Sequence, residues 1–274
     1  MPPLRPSPGA ALHAAINHAF PLSAPETRAA LAASVEVQGV MSGEIVVHQG
    51  DRAWVALVVA GYVGLRRTTV DGRFLMARIL SRSDLAGVST LGLRPSGEDV
   101  VALSESVIAR WPADELRALA GADPGFALDI IDQTVSSYVA VVGRADGLVH
   151  QDAVVRVARV LYRYRELFFA DPPVLTRTQL PMLVGTSREM TGRVIRTLES
   201  RNVVARVGRN GLVLRDPGAL ESLGTERGGG QRGSARPATA RPAPAGPATA
   251  TLAIPSSATA GPPTADRIEA GARD

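Results

Sequence analysis

Three charged residues in the stretch GTSREMTGRVIR (185–196) have the types and spacing to contact the edges of DNA bases. Arg188 and Glu189 are adjacent, and Arg193 follows Arg188 by about one and a half helical turns. An arginine can donate two hydrogen bonds to guanine O6 and N7, and a glutamate can accept one from cytosine N4. The same letters also fit an ordinary amphipathic helix with a solvated charged face, so the surrounding sequence must decide between the two interpretations.

The surrounding sequence predicts two short helices, a tight turn and a hairpin. Thr176 is a candidate N-cap for the first helix, RTQLPMLV, although Pro181 favours a later start. Gly185 suits the turn, and Thr186 or Ser187 is expected to cap the second helix, SREMTGRVIRTLESRN. After Asn202 the strands VVARV and LVLRD are expected to pair through a turn at Asn210-Gly211.

This order of elements predicts a winged helix-turn-helix, which places the N-terminal end of its second helix in the major groove. In that arrangement the side chains of Arg188, Glu189 and Arg193 contact bases. Phosphate contacts, which fix the register on the duplex, are expected from Thr176, Arg177, Ser187 and Arg209.

The distribution of charge supports a polyanionic partner for this segment. Residues 152–216 contain 12 arginines against 6 acidic residues, a net charge of +6. Residues 1–151 contain 12 arginines against 15 acidic residues, a net charge of −3, and residues 217–274 have 6 against 5, or +1. The positive charge of the chain is therefore concentrated where the helix-turn-helix is predicted.

A long helix is predicted to precede this segment, with Asp123 as its cap and Pro124 in its first turn. Apolar residues recur along it at alternating spacings of three and four, namely at Leu128, Ile131, Val135, Tyr138, Val142, Ala145 and Val149. A heptad seam of this kind predicts a homodimer. The alternative is one helix that packs its stripe on its own domain. Asp152 is expected to cap a second amphipathic helix, which runs through Phe169 and ends at Asp171-Pro172-Pro173.

Residues 35–111 have a sequence pattern typical of antiparallel strands, with short runs of Val, Ile and Leu separated by glycine. Gly50-Asp51 and Asp71-Gly72 are expected to join pairs of these strands as hairpins. The predicted fold class is therefore α+β: a β-barrel or jelly roll, a long dimerisation helix and a C-terminal winged helix-turn-helix. The predicted boundaries are an N-terminal extension (1–24), an effector domain (25–122), the helix (123–151), the DNA-binding domain (152–216) and a disordered tail rich in Gly, Pro, Ala and Thr (225–274).

Several functional classes are not favoured by the composition. The chain has no cysteine, which removes cysteine-ligated zinc, cysteine-ligated iron–sulfur clusters and cysteine nucleophiles, and its four histidines are scattered singly. No paired carboxylates or nucleophile with a nearby base suggest an enzyme, so neither catalysis nor a metal or other cofactor is expected. No apolar run approaches about 20 residues and no signal peptide is apparent, so a cytoplasmic protein without membrane contact is expected.

The segment LTRTQLPMLVGTSREMTGRVIRTLESRNVVARVGRNGLVL, with SRExxGR intact, resembles the DNA-binding motif of the Crp/Fnr family of bacterial transcription factors. The resemblance extends over about residues 25–216 and includes the glycine spacing of the family's barrel at Gly43-Glu44, Gly50-Asp51 and Gly61. It implies base contacts from the SRExxGR arginines and glutamate on a palindromic site similar to TGTGA and its inverted repeat. It also implies a dimerisation helix, a hinge near Asp152, and RNA polymerase as a partner, although only residues 170–175 fill the region of the family's best-known polymerase-contacting loop.

The effector pocket departs from the cyclic-nucleotide pattern of that family. Gly87 is kept, but Val88 stands where an acid would bind the ribose. The positions of the phosphate-binding Arg-Ser pair fall on Ser96-Gly97 or on Glu98-Asp99, which leaves Arg94 as the only nearby cation. The Thr-Ser pair that meets adenine becomes Val141 and Val142.

Cyclic AMP is therefore not the favoured ligand of the candidate pocket, which comprises Gly87, Val88, Arg94, Val141 and Val142. The alternative is a cyclic-nucleotide-responsive regulator with a non-standard pocket that uses Arg94. An apolar ligand would also suit the three valines, but an ordinary hydrophobic core is the preferred interpretation of them.

Overall fold

The computed structural model of the chain describes residues 8–92 and 94–225. Eight strands in the first half of this described part form two four-stranded antiparallel sheets, with the orders β1-β8-β3-β6 and β2-β7-β4-β5. Their bounds are β1 Glu36–Val40, β2 Ile45–Val47, β3 Trp54–Ala60, β4 Val63–Thr68, β5 Phe74–Leu80, β6 Leu85–Ala86, β7 Asp99–Ala102 and β8 Ser106–Pro112. Buried valine, leucine and isoleucine side chains fill the space between the sheets. The predicted jelly-roll domain is confirmed.

Only one of the two predicted hairpin turns joins neighbouring strands. β4 and β5 pair from Val63↔Leu80 to Thr68↔Phe74, and Gly72 has a positive φ of 74° in the turn between them. In contrast, β2 pairs with β7, whereas β3 pairs with β8 and β6. The prediction of a hairpin at Gly50-Asp51 is therefore wrong, because this turn carries the chain from one sheet to the other.

Two helices precede the sheets, α1 (Pro8–Ala19) and α2 (Pro25–Ser34). Ile16 of α1 and Phe20, just after it, are fully buried in the same apolar cluster as Trp111 of β8. The carboxylate of Asp129 accepts hydrogen bonds from the backbone of Ser23 at 2.9 Å and from its hydroxyl at 2.7 Å. Residues 8–24 therefore pack as part of the effector domain instead of extending from it, which corrects the predicted boundary at residue 24.

The long helix forms as predicted. After the short helix α3 (Ala113–Ala122), helix α4 spans Pro124–His150, and the carboxylate of Asp123 accepts from the backbone N–H groups of Gly125 (2.9 Å) and Phe126 (3.3 Å). Every residue of the predicted seam is exposed in the single chain, and Val149 retains 75% of its exposed surface. The seam does not pack on the chain's own barrel.

The next helix is shorter than predicted. α5 spans Ala153–Arg163, and the carboxylate of Asp152 caps it by accepting from Val155 N at 2.9 Å. Tyr164 leaves the helical conformation, with φ −111° and ψ 29°, and a short helix α6 (Arg165–Phe168) follows. The prediction of one helix through Phe169 is wrong, because the chain turns at Tyr164 and buries Leu167 and Phe168 in the core of this domain.

The helix-turn-helix consists of α7 (Leu180–Val184) and α8 (Arg188–Ser200), joined at Gly185, which has the expected positive φ of 69°. Thr176 does not cap α7. Its backbone N–H and its hydroxyl both donate to Gln179 Oε1, at 2.9 and 2.7 Å, and the helix begins only at Leu180, as Pro181 suggested. Ser187, not Thr186, caps α8.

The hairpin that follows is formed by β9 (Val204–Val207) and β10 (Gly211–Leu214). Gly211 is already paired with Val207, so the loop consists of residues 208–210, and its positive φ, 53°, lies at Gly208. The hairpin is confirmed, but the Asn210-Gly211 turn is wrong because Gly211 belongs to the strand.

A last helix, α9 (Pro217–Thr225), packs against α5 and buries Leu220 in the core of the DNA-binding domain. This domain therefore extends beyond the predicted end at residue 216, and Thr225 is helical. The remainder of the predicted disordered tail, residues 226–274, lies outside the described residues. Across the described ranges, no helix combines the length and apolarity needed to cross a bilayer.

Candidate nucleic-acid interface

Helix α8 presents a charged face on one side and an apolar face on the other. Ser187 Oγ accepts from Met190 N at 3.1 Å and fixes the start of the helix. Val194, Ile195 and Leu198 are buried against the domain core. The exposed side includes the charged residues Arg188, Glu189, Arg193 and Arg196. The structure thus brings the three predicted base-contacting side chains together at the N-terminal half of one exposed helix face.

The three side chains differ in their present partners. Glu189 and Arg193 form an ion pair across one helical turn. Arg188 has no ion-pair partner among the described side chains, so its guanidinium is available for an external acceptor. Contact of Glu189 or Arg193 with a base requires their pair to open or to contact the base edges as a unit.

The predicted phosphate contacts fall into two groups. Ser187 and Arg209 are exposed, at the start of α8 and in the hairpin loop. Thr176 and Arg177 are partly buried and engaged within the protein. The Thr176 hydroxyl is bonded to Gln179, and Arg177 Nη2 donates to Arg209 O at 2.6 Å. Arg177 N also donates to Asn210 O at 2.9 Å, so Arg177 attaches the turn before α7 to the hairpin and thereby positions Arg209. Among the described residues, Thr176 forms hydrogen bonds only within the turn itself.

A groove of about 360 Å³ lies beside this surface, between α7, α8 and the hairpin. It adds two cations that the sequence did not single out, Arg196 and Arg206. Arg206 Nε also donates to Glu199 Oε1 at 2.8 Å. Burial alone would raise the pKa of Glu199, but the hydrogen bonds from Arg206 hold it below its ordinary value. The spacing of residues 189, 193 and 196 along one helix face could have predicted Arg196 from the sequence. The position of Arg206 beside the groove could be known only from the fold.

The candidate effector residues differ in how far they are buried in the single chain. Gly87, with φ +76°, follows β6 at a point where a Cβ would lie 2.3 Å from Trp54 O, and Val88 packs against the apolar cluster that contains Trp111. Arg94 is exposed. Val141 and Val142 retain 49% and 47% of their exposed surface on α4, so an ordinary core is the wrong interpretation of these two valines in the single chain.

The barrel's own carboxylates occupy the region of the missing phosphate-binding pair. Asp99 forms a salt bridge with Arg66 at 2.8 Å, across neighbouring strands. Burial raises the pKa of Glu98, and the charges of Arg67 and Arg78 act in the opposite direction. A carboxylate at these positions repels the cyclic phosphate that the family's cyclic-nucleotide pockets bind.

Comparison with known proteins assigns both domains. Residues 37–123 match a model of the cyclic nucleotide-binding domain, and residues 155–223 match a model of the Crp-like helix-turn-helix domain. The chain belongs to the Crp/Fnr family of transcriptional regulators.

Relatives of this Crp/Fnr regulator are distant in sequence. The cAMP-activated global transcriptional regulator CRP of Salmonella typhimurium is 24% identical over 184 residues, which cover 61% of this chain and 84% of the relative. Among solved structures, FixK2 of Bradyrhizobium japonicum aligns with a TM-score of 0.60 at 20% identity, over 70% of this chain and 98% of FixK2. A Crp/Fnr-family regulator of Thermus thermophilus aligns with a TM-score of 0.61 at 22% identity, over 70% and 100% of the two chains. At these identities the structures establish the shared fold.

Proposed function

We propose that this protein is a sequence-specific DNA-binding regulator that acts as a homodimer on a palindromic site. The observation that carries the proposal is the exposed face of α8, where Arg188 and the Glu189–Arg193 pair stand beside a groove lined by further arginines. Base edges in the major groove offer these side chains matching acceptors and donors, and the surrounding cations match phosphates. A transcriptional role, instead of catalysis, is in keeping with the regulators that the chain resembles, and its site of action is the cytoplasm.

The proposed dimer interface is the seam of α4. Its seven side chains are apolar, uninterrupted by charge and exposed in the single chain, over a helix about 40 Å long. An apolar face of this regularity is stabilised when it is buried against a second copy. Two copies related by a two-fold axis between their α4 helices would present two recognition helices to half-sites about 34 Å apart, with a pivot near Asp152.

The test is selection of bound sequences from random duplex DNA, which would yield the site. We expect an inverted repeat. Replacement of Arg188 by alanine is expected to cost about 1–3 kcal/mol and to relax the preference at one base pair per half-site. Arg201→Ala is the matched control, because Arg201 is also exposed but lies at the other end of α8.

Equal affinity of the Arg188→Ala protein and the unchanged protein for specific and scrambled duplexes would contradict the base-reading role. Selection of an asymmetric sequence would contradict the dimeric arrangement.

We further propose that the barrel is a degenerate cyclic-nucleotide domain. The salt bridge of Asp99 with Arg66 and the position of Glu98 near Arg67 and Arg78 support this, because the cations of the region already face carboxylates. Calorimetric titration with cyclic AMP and cyclic GMP is expected to give no binding in the barrel. Micromolar binding that is abolished by Arg94→Ala would favour the alternative, a cyclic-nucleotide-responsive regulator with a non-standard pocket.

RNA polymerase remains a proposed partner, which rests on the family resemblance.

A further inference from the structure

A cavity of about 280 Å³ lies where the effector domain, the long helix and the DNA-binding domain meet. One wall comes from β5 and the C-terminal half of α4, and the other comes from α5 and α7. The apolar part of the lining includes Ala77, Val139, Leu148, Val160, Leu183 and Val184. None of the candidate effector residues lines this cavity.

Five arginines line the same cavity, and they come from three elements. Arg78 belongs to β5 and Arg144 to α4, whereas Arg156, Arg159 and Arg163 follow one face of α5. The described side chains of the lining include no aspartate and no glutamate. The cavity therefore combines an apolar wall with a strong excess of positive charge.

Neutral groups, not carboxylates, hold three of these arginines, Arg144, Arg156 and Arg163. Arg144 donates to the backbone oxygens of Met76 and Ala77 in β5, and to Met182 O at 3.2 Å in α7. Arg156 donates to Gln151 O at 2.9 Å. Backbone oxygens satisfy hydrogen bonds but leave the cationic charge unbalanced.

Arg78 and Arg163 also line the cavity without a salt bridge to any described carboxylate. Arg78 donates to Ser137 Oγ and also interacts by charge with Glu98 in the barrel, whereas Arg163 stacks over the ring of Tyr164 at 5.6 Å. Neither these two nor Arg144 and Arg156 forms a salt bridge with a carboxylate in the described part of the chain.

Two further observations favour an anionic ligand at this cluster of arginines. The Nε atoms of Arg144 and Arg156 are buried, and no described group accepts a hydrogen bond from them. Burial lowers the pKa of Arg144. Tyr164 acts in the opposite direction, and the positive charge of Arg163 lowers the pKa again. Partly buried cations that repel one another and retain unused donors are stabilised by a shared anion.

We propose that this cavity binds a phosphorylated small molecule, whose phosphate contacts the arginines and whose remainder packs on the apolar wall. A phosphate offers three acceptor oxygens and up to two negative charges, which several guanidinium groups can share. Ligand pockets commonly measure about 300–1,000 Å³. A cavity of about 280 Å³ therefore suits a molecule no larger than a mononucleotide.

The position of the cavity predicts a link to DNA binding, and this consequence rests on the proposed function. A ligand that contacts both walls favours one orientation of α5 and α7 relative to α4 and β5. By thermodynamic linkage, the affinity for DNA then changes when the ligand is bound, typically by about 5- to 150-fold.

The test is calorimetric titration of the whole protein, without DNA, with inorganic phosphate, pyrophosphate and AMP. We expect AMP to bind, and Arg156→Gln and Arg163→Gln each to weaken that binding by at least about tenfold, the loss of one charge-assisted contact. Arg82→Gln is the matched control, because Arg82 is an exposed arginine in the turn after β5 and lies outside the cavity. Absence of binding by all three probes at millimolar concentration would overturn the proposal.

A second variant separates the cavity from a merely basic surface. Gly143 lines the cavity, and a Cβ built there meets no atom within 4 Å, so Gly143→Leu fills the space without removing an arginine. We expect this variant to fold, as judged by circular dichroism, and to lose AMP binding. Two outcomes would place the ligand elsewhere and overturn the proposal. One is undiminished AMP binding by Gly143→Leu. The other is loss of AMP binding in Arg67→Gln, in the barrel, together with unchanged binding in Arg156→Gln.

DNA binding is measured separately with the selected duplex, with and without AMP. A protein that binds DNA but none of the probes refutes the ligand site and leaves the proposed function standing. A protein that binds AMP in the cavity but no duplex refutes the proposed function and leaves the ligand site standing.

Discussion

The seam of α4 allows a quantitative prediction for Val135→Asp. Val135 retains 53% of its exposed surface in the single chain, and dimerisation through the seam would bury most of that remainder. Complete burial of an aliphatic side chain contributes about 1.5–3 kcal/mol, so the half that remains contributes about 0.8–1.5 kcal/mol per copy. Because the two-fold axis doubles every substitution, the dimer loses about 1.5–3 kcal/mol, which corresponds to a roughly 10- to 150-fold rise in the dimer Kd.

This range is a lower bound, since the two introduced carboxylates would also face each other across the interface. The helix itself is expected to persist, because aspartate and valine have similar helix propensities. Sedimentation equilibrium measures the dimer Kd, and circular dichroism checks the fold. Ser136→Asp is the matched control: it adds the same charge at the next residue, on an exposed position outside the seam.

Two results would refute the reasoning. If Val135→Asp and Ser136→Asp had the same dimer Kd as the unchanged protein, the seam would not be the interface. If the unchanged protein were a monomer at micromolar concentration, the exposed apolar face would need another partner.

Three further predictions follow from the contacts described above. Arg196→Ala is expected to weaken binding to specific and non-specific duplexes alike, and to lower the slope of log affinity against log salt concentration by about one, as measured by gel shift over a salt series. A loss of affinity confined to the specific duplex would contradict a phosphate contact. Gly185→Ala is expected to destabilise the fold by about 1–2 kcal/mol because of the left-handed backbone, visible as a lower Tm, and an unchanged Tm would speak against it. Burial alone would raise the pKa of Asp99, but hydrogen bonds from Gln49 N and Arg66 hold it below its ordinary value of 3.8. The stability that the Asp99 carboxylate contributes is therefore present above that value and is lost as the pH falls through the lower folded-state pKa. Asp99→Asn should be less stable than the unchanged protein at pH 7, and the stabilities of the two proteins should converge in acid. A difference in denaturant midpoint that stays constant with pH would contradict this.

Features with local causes were predictable from the sequence. The cap at Asp123 with Pro124 after it, the cap at Asp152 and the glycine turn at Gly185 all formed as expected. Each depends on the conformational preference of one or two residues. The exposed face of α8 was likewise predictable, because helical periodicity alone places Arg188, Glu189 and Arg193 together.

Features that depend on distant pairing were not predictable. Gly50-Asp51 has the composition of a hairpin turn, yet its flanking strands have partners elsewhere, and only the sheet order reveals this. Thr176 was expected to cap a helix because nothing in the sequence indicates that Gln179 would occupy its hydroxyl. The basic cavity was missed for the same reason, because Arg78, Arg144 and Arg163 are separated by up to 85 positions and meet only in the folded chain.

Met76 of β5 has a consequence for how this protein can be divided. Its side chain is 2% exposed and belongs to the apolar cluster that α5, α7 and α8 build, although the residue comes from the effector domain. A chain cut at Asp152 would leave that cluster open on the side where the methionine inserts. Chimaeras that exchange the DNA-binding domain with another regulator must therefore carry a matching β5, since the two modules of this chain are not independent building blocks.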